Sequence, residues 1–375
     1  MASESIFPDE IMIEILLRLP VKSILRCKTL SKHHYSLIHS QFFIRRHLSL
    51  GRLNDQSIIS PIQDSVRLFD RRGHIEVLET SPTIFDESSN YYGDVVCDPV
   101  EGLYLVIDPM KDRFAVWNPS TREHFLLPPV PSAYDDYDTR ICDRQCYAYG
   151  FGYDDITNDY KFVLIYDINL EISEDVDVVS QNIKSFNIFS VSKGEWRSIE
   201  EWSGVVPELI NFCSGVFVHG ACHWEYTSSG RPGFTILAFD MLTELNRFIA
   251  LPTVGDEYAW SEAFIVSFSG CLGLVNAQKG GNMTGLSLSF DVWVMAEYGV
   301  LESWKILHRV MLPDGIGGRY LGIVRDRFYI TKGDGCLVSY DLYSKDEERY
   351  DILDSDVGSL LSYEESLVRI IKPVY

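Results

Sequence analysis

Residues 7–38 read FPDEIMIEILLRLPVKSILRCKTLSKHHYSLI, and their spacing predicts a run of three short helices. Phe7 leads into Pro8, whose missing N–H costs nothing in a first helical turn. Asp9 and Glu10 then sit well against the positive end of the helix dipole. Ile11, Ile15, Leu16 and Leu19 fall on one stripe at i, i+4, i+5 and i+8. Pro20 stops that helix, and Ile24 and Leu25 repeat the stripe in the next one, with Leu30 after it. Ser31 is the expected N-cap of a third helix that carries His34, Leu37 and Ile38. A segment of roughly 40 residues cannot bury such a stripe within itself, so a partner or a neighbouring domain must cover it. The plainer alternative is a helical cap that packs only on its own downstream domain.

Working outward, the ordered pieces "PDE", "EILLRLPVKSILR", "SK" and "SLI", followed by "FFIRRHL", resemble the F-box, the module that docks a protein onto Skp1 in cullin-based ubiquitin ligases. The resemblance implies that the Skp1 contacts come from Phe7, Pro8, Ile11, Ile15, Leu16, Leu19, Pro20, Ile24, Leu25, Leu30, His34, Leu37 and Ile38. One departure stands out. The family places Trp two residues after the Lys of its K-x-W step, and here His34 follows Lys32 at that distance. A large hydrophobic contact is missing, which predicts weaker docking.

Beyond residue 50 the helical period gives way to β-rich segments broken by Gly, Pro, Asn and Asp. An aromatic followed by a turn-forming polar residue recurs at Phe69–Asp70, Trp117–Asn118, Phe189–Ser190, Phe239–Asp240, Phe290–Asp291 and Tyr340–Asp341. The steps are 48, 72, 50, 51 and 50 residues. Periods near 50 with several strands per unit mark kelch-like β-propeller blades, so a propeller of about six blades is expected, with a β-sandwich as the alternative. Asp, Asn or Ser bends the chain by bonding its own backbone, while the aromatic feeds the core between sheets. Trp196 and Trp304 re-enter after such turns, where blade-to-blade packing needs them. The long step holds "YDDYDTRICDR" and "DINLEISEDVDV", which read as loops inserted between strands. The two regions divide the chain into 1–50 and 51–375.

"WNPSTREHFLLPP", "YGFGYDDITNDYKFV", "VHGACHW", "ILAFDMLTE", "DVWVMAEYGVLESWKI" and "YEESLV" resemble the F-box-associated interaction domain of plant F-box proteins. That family includes the S-locus F-box proteins, which capture basic secreted ribonucleases. The resemblance implies a substrate adaptor of a Skp1–cullin–F-box ubiquitin ligase. Such an adaptor is expected to reach cullin-1 and a RING subunit through Skp1, with no catalysis or cofactor of its own. A binding module that has lost ligase assembly is the alternative.

Charge and composition narrow the partners. Hydrophobic residues make up 46% of the 375, which excludes global disorder. Residues 1–50 carry seven basic and four acidic side chains, a net +3, so the rest carries −24 of the total −21. So acidic a body disfavours nucleic acid and favours a basic protein target. Asp135, Asp136, Asp138, Asp143, Asp167, Glu171, Glu174, Asp175 and Asp177, countered only by Arg140, are the candidate target contacts. No run of about 18 apolar residues offers a membrane span, and the acidic N-terminus is unlike a secretory signal, so cytoplasm or nucleus is expected. The eight cysteines form no disulfide framework. Cys213, His219, Cys222 and His223 come nearest to a metal set, but they lie in runs that read as strands, so packing roles are expected. The sequence holds no G-x-S-x-G elbow, glycine-rich phosphate loop or H-E-x-x-H, and abundant carboxylates do not by themselves make a propeller glycosidase.

Overall fold

The computed structural model describes residues 8–54, 58–62, 65–69, 75–80, 94–95, 97–108, 111–131, 139–174, 177–199, 213–226, 235–252, 260, 263–279, 287–312, 318–353 and 360–370. Helix α1 (Asp9–Leu16) follows Pro8, α2 (Val21–Cys27) follows Pro20, and α3 (Lys32–Ile38) is capped by the Ser31 hydroxyl, which accepts the His34 N–H. A fourth helix, α4 (Gln41–Asn54), runs past residue 50 before the strands begin.

The strands form six blades around a ring. Blade 1 holds β1 (Ile58–Ile62), β2 (Ser65–Phe69) and β3 (Ile75–Thr80). Blade 2 follows with β4 (Asp94–Val95), β5 (Tyr104–Asp108), β6 (Arg113–Asn118) and β7 (Glu123–Leu126). Blade 3 has the longest strands, β8 (Thr139–Asp154), β9 (Asp159–Glu174) and β10 (Asp177–Ser190), then the short β11 (Glu195–Ser198). The two-residue β12 (Cys213–Ser214) pairs in parallel with β8 on the way to blade 4. Blade 4 is β13 (Val216–Val218), β14 (Ala221–Tyr226), β15 (Thr235–Asp240) and β16 (Asn246–Ile249). Blade 5 is β17 (Ala263–Phe268), β18 (Cys271–Lys279), β19 (Ser287–Met295) and β20 (Trp304–Met311). Blade 6 is β21 (Gly318–Val324), β22 (Arg327–Lys332), β23 (Cys336–Asp341) and β24 (Glu347–Leu353). The last strand, β25 (Leu361–Ser362), pairs with β1 and closes the ring, so one blade is built from both ends of the domain.

The aromatic of the repeat is buried on the third strand of every blade: Phe69, Trp117, Phe189, Phe239, Phe290 and Tyr340. The bend also works as its chemistry requires. The side-chain oxygens of Asn118, Asp240 and Asp341 each accept N–H groups two and three residues ahead. Blade 5 departs from this. There β19 continues through Asp291, which pairs with Arg309 on β20, and the turn comes after Met295. Asp70 lies outside the described residues. Trp196 and Trp304 donate to the carbonyls of Pro128 and Ala250, each on the outgoing chain of the blade before.

One expectation is corrected. Residues 139–144, 167–174 and 177–178 are not loop but strand, because β8, β9 and β10 pair in register out to Thr139–Ile172 and Asp177–Glu174. The 72-residue step therefore reflects longer strands. Aspartates signalled loop, while the β-branched residues between them (Ile168, Ile172, Val178, Val179) let the pairing run on.

Candidate functional site: the helical module and the propeller faces

The apolar stripe of the helices is divided between two sides. Leu16, Ile24 and Ile38 are buried, with Leu17, Val21, Phe43 and Ile44, in a core shared with blades 2 and 3 and residues 367–370. Leu19, Leu25 and Leu37 pack at its edge. Ile11, Ile15 and Leu30 instead stay exposed at 47%, 51% and 69%, and Pro8 and Pro20 are exposed beside them. His34 is half-buried, and its Nδ1 lies 2.7 Å from the Ser31 hydroxyl, so it reinforces the cap of α3. Phe7 lies outside the described residues. Two exposed aromatics, Tyr35 and Phe42, were missed by stripe counting. Phe42 was findable, since Phe43, Ile44, His47 and Leu48 make the buried stripe of α4 and leave Phe42 off it.

Polar contacts fix the helices on the ring. The Arg45 guanidinium pairs with Glu101, donates to the Tyr153 hydroxyl and the Asn158 side-chain oxygen Oδ1, and lies 4.5 Å above the Tyr153 ring. The Tyr160 hydroxyl donates to the other Glu101 oxygen. Burial, and then the Glu101 charge, raises the Tyr160 phenol well above its ordinary value, so it remains a donor. The stretch after β25 works as a strap. Glu365 accepts the Val21 N–H at 3.0 Å and so satisfies a free donor at the start of α2. The Asn118 amide holds the carbonyls of Ser366 (3.1 Å) and Val368 (2.8 Å). Gly102, at φ +76°, lets the strap pass, because a Cβ there would come within 2.3 Å of the Ser366 Cβ.

The topology sorts the remaining surface. Glu101 and Asn158 follow the first strands of blades 2 and 3, and both touch Arg45, so the helices sit on the face where first and second strands connect. Antiparallel pairing alternates the connections, so second-to-third and blade-to-blade connections leave from the opposite face. On the helix side they are tight, as at 155–158, 191–194, 219–220 and 325–326. Strand ends on the opposite side flank longer stretches: 81–93, 127–138, 199–212, 227–234, 250–262 and 280–286. Asp143 lies toward that end of β8, Asp167, Glu171 and Glu174 lie toward that end of β9, and Asp177 opens β10. Asp135, Asp136, Asp138 and Asp175 lie outside the described residues.

The histidines and cysteine of the former metal set are placed apart in role. The His223 Nδ1 lies 3.0 Å from the Val216 carbonyl, which can only accept, so Nδ1 carries the proton and Nε2 accepts from the Tyr298 hydroxyl at 2.7 Å. Burial lowers its pKa to about 4, so the ring is neutral. His219 stacks on Tyr298, and the buried Cys222 thiol faces the Phe151 carbonyl. Among the described residues no group of three or more His, Cys, Asp or Glu could hold a metal ion, and no helix is long and apolar enough to cross a membrane.

Residues 5–46 match the F-box domain, and residues 65–317 match the F-box associated beta propeller domain. The chain is 28% identical to the Arabidopsis thaliana F-box protein CPR1 over 82% of its own length and 74% of that protein's. It is 29% identical to the F-box/kelch-repeat protein At3g23880 of the same plant, over 80% and 78% of the two chains. Among solved structures, a chain of a nidogen/laminin complex aligns with a TM-score of 0.43 at 10% identity, covering 83% of this chain and 99% of that one.

Proposed function

The chain belongs to the family of F-box proteins with an associated β-propeller domain, and on that premise we propose that it recruits a target protein to a Skp1–cullin–F-box ubiquitin ligase. F-box proteins in general are the substrate-recognition adaptors of such ligases. The observation that carries the reading is the divided stripe: a module anchored to the propeller by one side still exposes Ile11, Ile15 and Leu30 on the other. Exposed apolar groups on an anchored helical module are what a docking partner buries. Skp1 is that partner, and cullin-1 and a RING subunit follow through it. Leu16, Ile24 and Ile38 then support the site from beneath. No side-chain chemistry is needed, because the complex only has to hold target lysines close to a charged conjugating enzyme. The place of work is the cytoplasm or nucleus.

Target capture belongs to the face opposite the helices, where the acidic ends of β8, β9 and β10 lie and from which the chain enters its longer connecting stretches. A net charge of −24 beyond residue 50 supports a basic protein as the target. A basic ribonuclease, as in S-locus recognition, is the most specific form of this reading. His34 in the tryptophan position supports the second reading, a binding module without ligase assembly.

Titration of the full chain with a Skp1-like protein tests the first half. The double variant Ile15→Ala, Leu30→Ala should weaken binding at least tenfold, about 1.4 kcal/mol, and leave the melt unchanged. Undiminished affinity sinks the docking face. Absence of any Skp1 binding by the parent chain favours the bare binding module, which His34→Trp should then reverse.

A further inference from the structure

We propose that the cavity enclosed by the helical module, blades 2 and 3 and the C-terminal strap binds a small amphipathic carboxylate, an apolar body bearing one negative charge. The cavity has a volume of about 750 Å³. That lies within the range of small-molecule sites, which favour domain junctions and combine apolar walls with few polar groups. Ile44 of α4, Leu103 and Val116 of blade 2, Val191 of blade 3 and Val368 of the strap supply the apolar wall.

The charge of the ligand follows from which polar groups are already engaged. Asp159 accepts the Ser190 hydroxyl and the Ser192 N–H. Glu123 accepts the Ile370 N–H and stands 4.0 Å from the Arg369 guanidinium. Arg45 is held by Glu101, Tyr153 and Asn158. Among the described residues this leaves Arg122 as the lining cation with no ion-pair or hydrogen-bond partner, with His39 and His124 near it as further lining groups. One open guanidinium suits a bidentate carboxylate and not a polyanion. The backbone that carries Arg122 is fixed. The Asn118 carbonyl oxygen of the side chain fixes the turn through the Ser120 and Thr121 N–H groups, and Arg122 itself sits at φ 61°. An unpaired guanidinium beside apolar lining, in so acidic a protein, is the local feature that a ligand anion requires.

The test uses the full chain, with melting curves and calorimetric titration against 4-phenylbutyrate, its primary amide, phenyl phosphate and inorganic phosphate. The carboxylate should bind saturably and raise the melting temperature. The amide should bind at least tenfold more weakly, and inorganic phosphate should not bind. Arg122→Gln should lower carboxylate affinity at least tenfold, and Ser192→Trp, at an exposed position on the rim, should abolish it. Both variants should melt as the parent does without ligand, since each side chain is exposed. Absence of saturable carboxylate binding overturns the proposal, as does binding that is equal in parent and both variants. Tighter binding of phenyl phosphate than of the carboxylate overturns the assigned charge.

Discussion

The two sides of the helical module carry similar residue types and meet different fates. Leu16, Val21, Ile24, Ile38 and Phe43 are nearly or fully buried against the propeller, whereas Ile11, Ile15, Leu30 and Phe42 remain largely in water. The inner side draws its stability from apolar area removed from water, and from Arg45 and Glu365, which fix the angle at which the module sits. The outer side leaves that gain unmade within the chain, and the proposed Skp1 contact is where it would be made. The lesson concerns geometry: a stripe wider than one contact can anchor a module and present it at once.

Phe43→Ala is the strongest way to break this comparison. It empties a fully buried ring site, and a loss of about 3–5 kcal/mol in denaturant unfolding is expected, whereas Ile15→Ala on the outer side should stay within about 0.5 kcal/mol. Equal losses would mean that the two sides are not distinct. Gly102→Ala should come next. The added methyl meets the strap in a left-handed turn, and about 1–3 kcal/mol should be lost with the helices loosened first, seen as faster hydrogen exchange in α2.

Asp98 sharpens the picture through pH. Burial, with Glu364 adding to it, raises its carboxyl from 3.8 to about 6, although it accepts the Ser362 N–H at 3.4 Å. A raised folded-state pKa means that the protonated form is favoured on folding. Its stabilisation is complete below about pH 4 and is lost as pH rises through about 6. Asp98→Asn keeps the acceptor and removes the charge. It should therefore gain about 1 kcal/mol at pH 8, after allowance for partial exposure, and nothing at pH 4. A gain that is the same at both pH values would refute the assignment. The smallest effect concerns the far face. Replacing Asp143, Asp167, Glu171, Glu174 and Asp177 by Asn and Gln should slow association with a basic target several-fold at low salt and leave stability intact. Rates that ignore both salt and the replacements would shift capture away from the acidic strand ends.

Much of this was legible in residue order. Pro8, Pro20 and Ser31 mark helix starts by chemistry that acts within one turn, and the structure begins α1, α2 and α3 at those points. The aromatic–polar unit locates the third strand of each blade, and at Asn118, Asp240 and Asp341 the Asx turn that ends it needs only its own backbone. Blade 3 was harder. Its aspartates look like loop, but strand pairing is decided by the neighbour across the ladder, and Glu171 opposite Arg140 is a pairing no local rule supplies.

The sequence by itself determined the starts of the first three helices, the repeat of about 50 residues and the excess of negative charge on the body, since each depends on short-range spacing or simple counting. Only the tertiary structure decided which half of the helical stripe is anchored, because burial depends on surfaces brought together from blades 2 and 3 and from residues more than 300 positions away. It also decided that residues 360–370 close the ring and hold the module with one strap. Glu365 reads as one acidic residue among many until the fold sets its carboxylate 3.0 Å from the Val21 nitrogen.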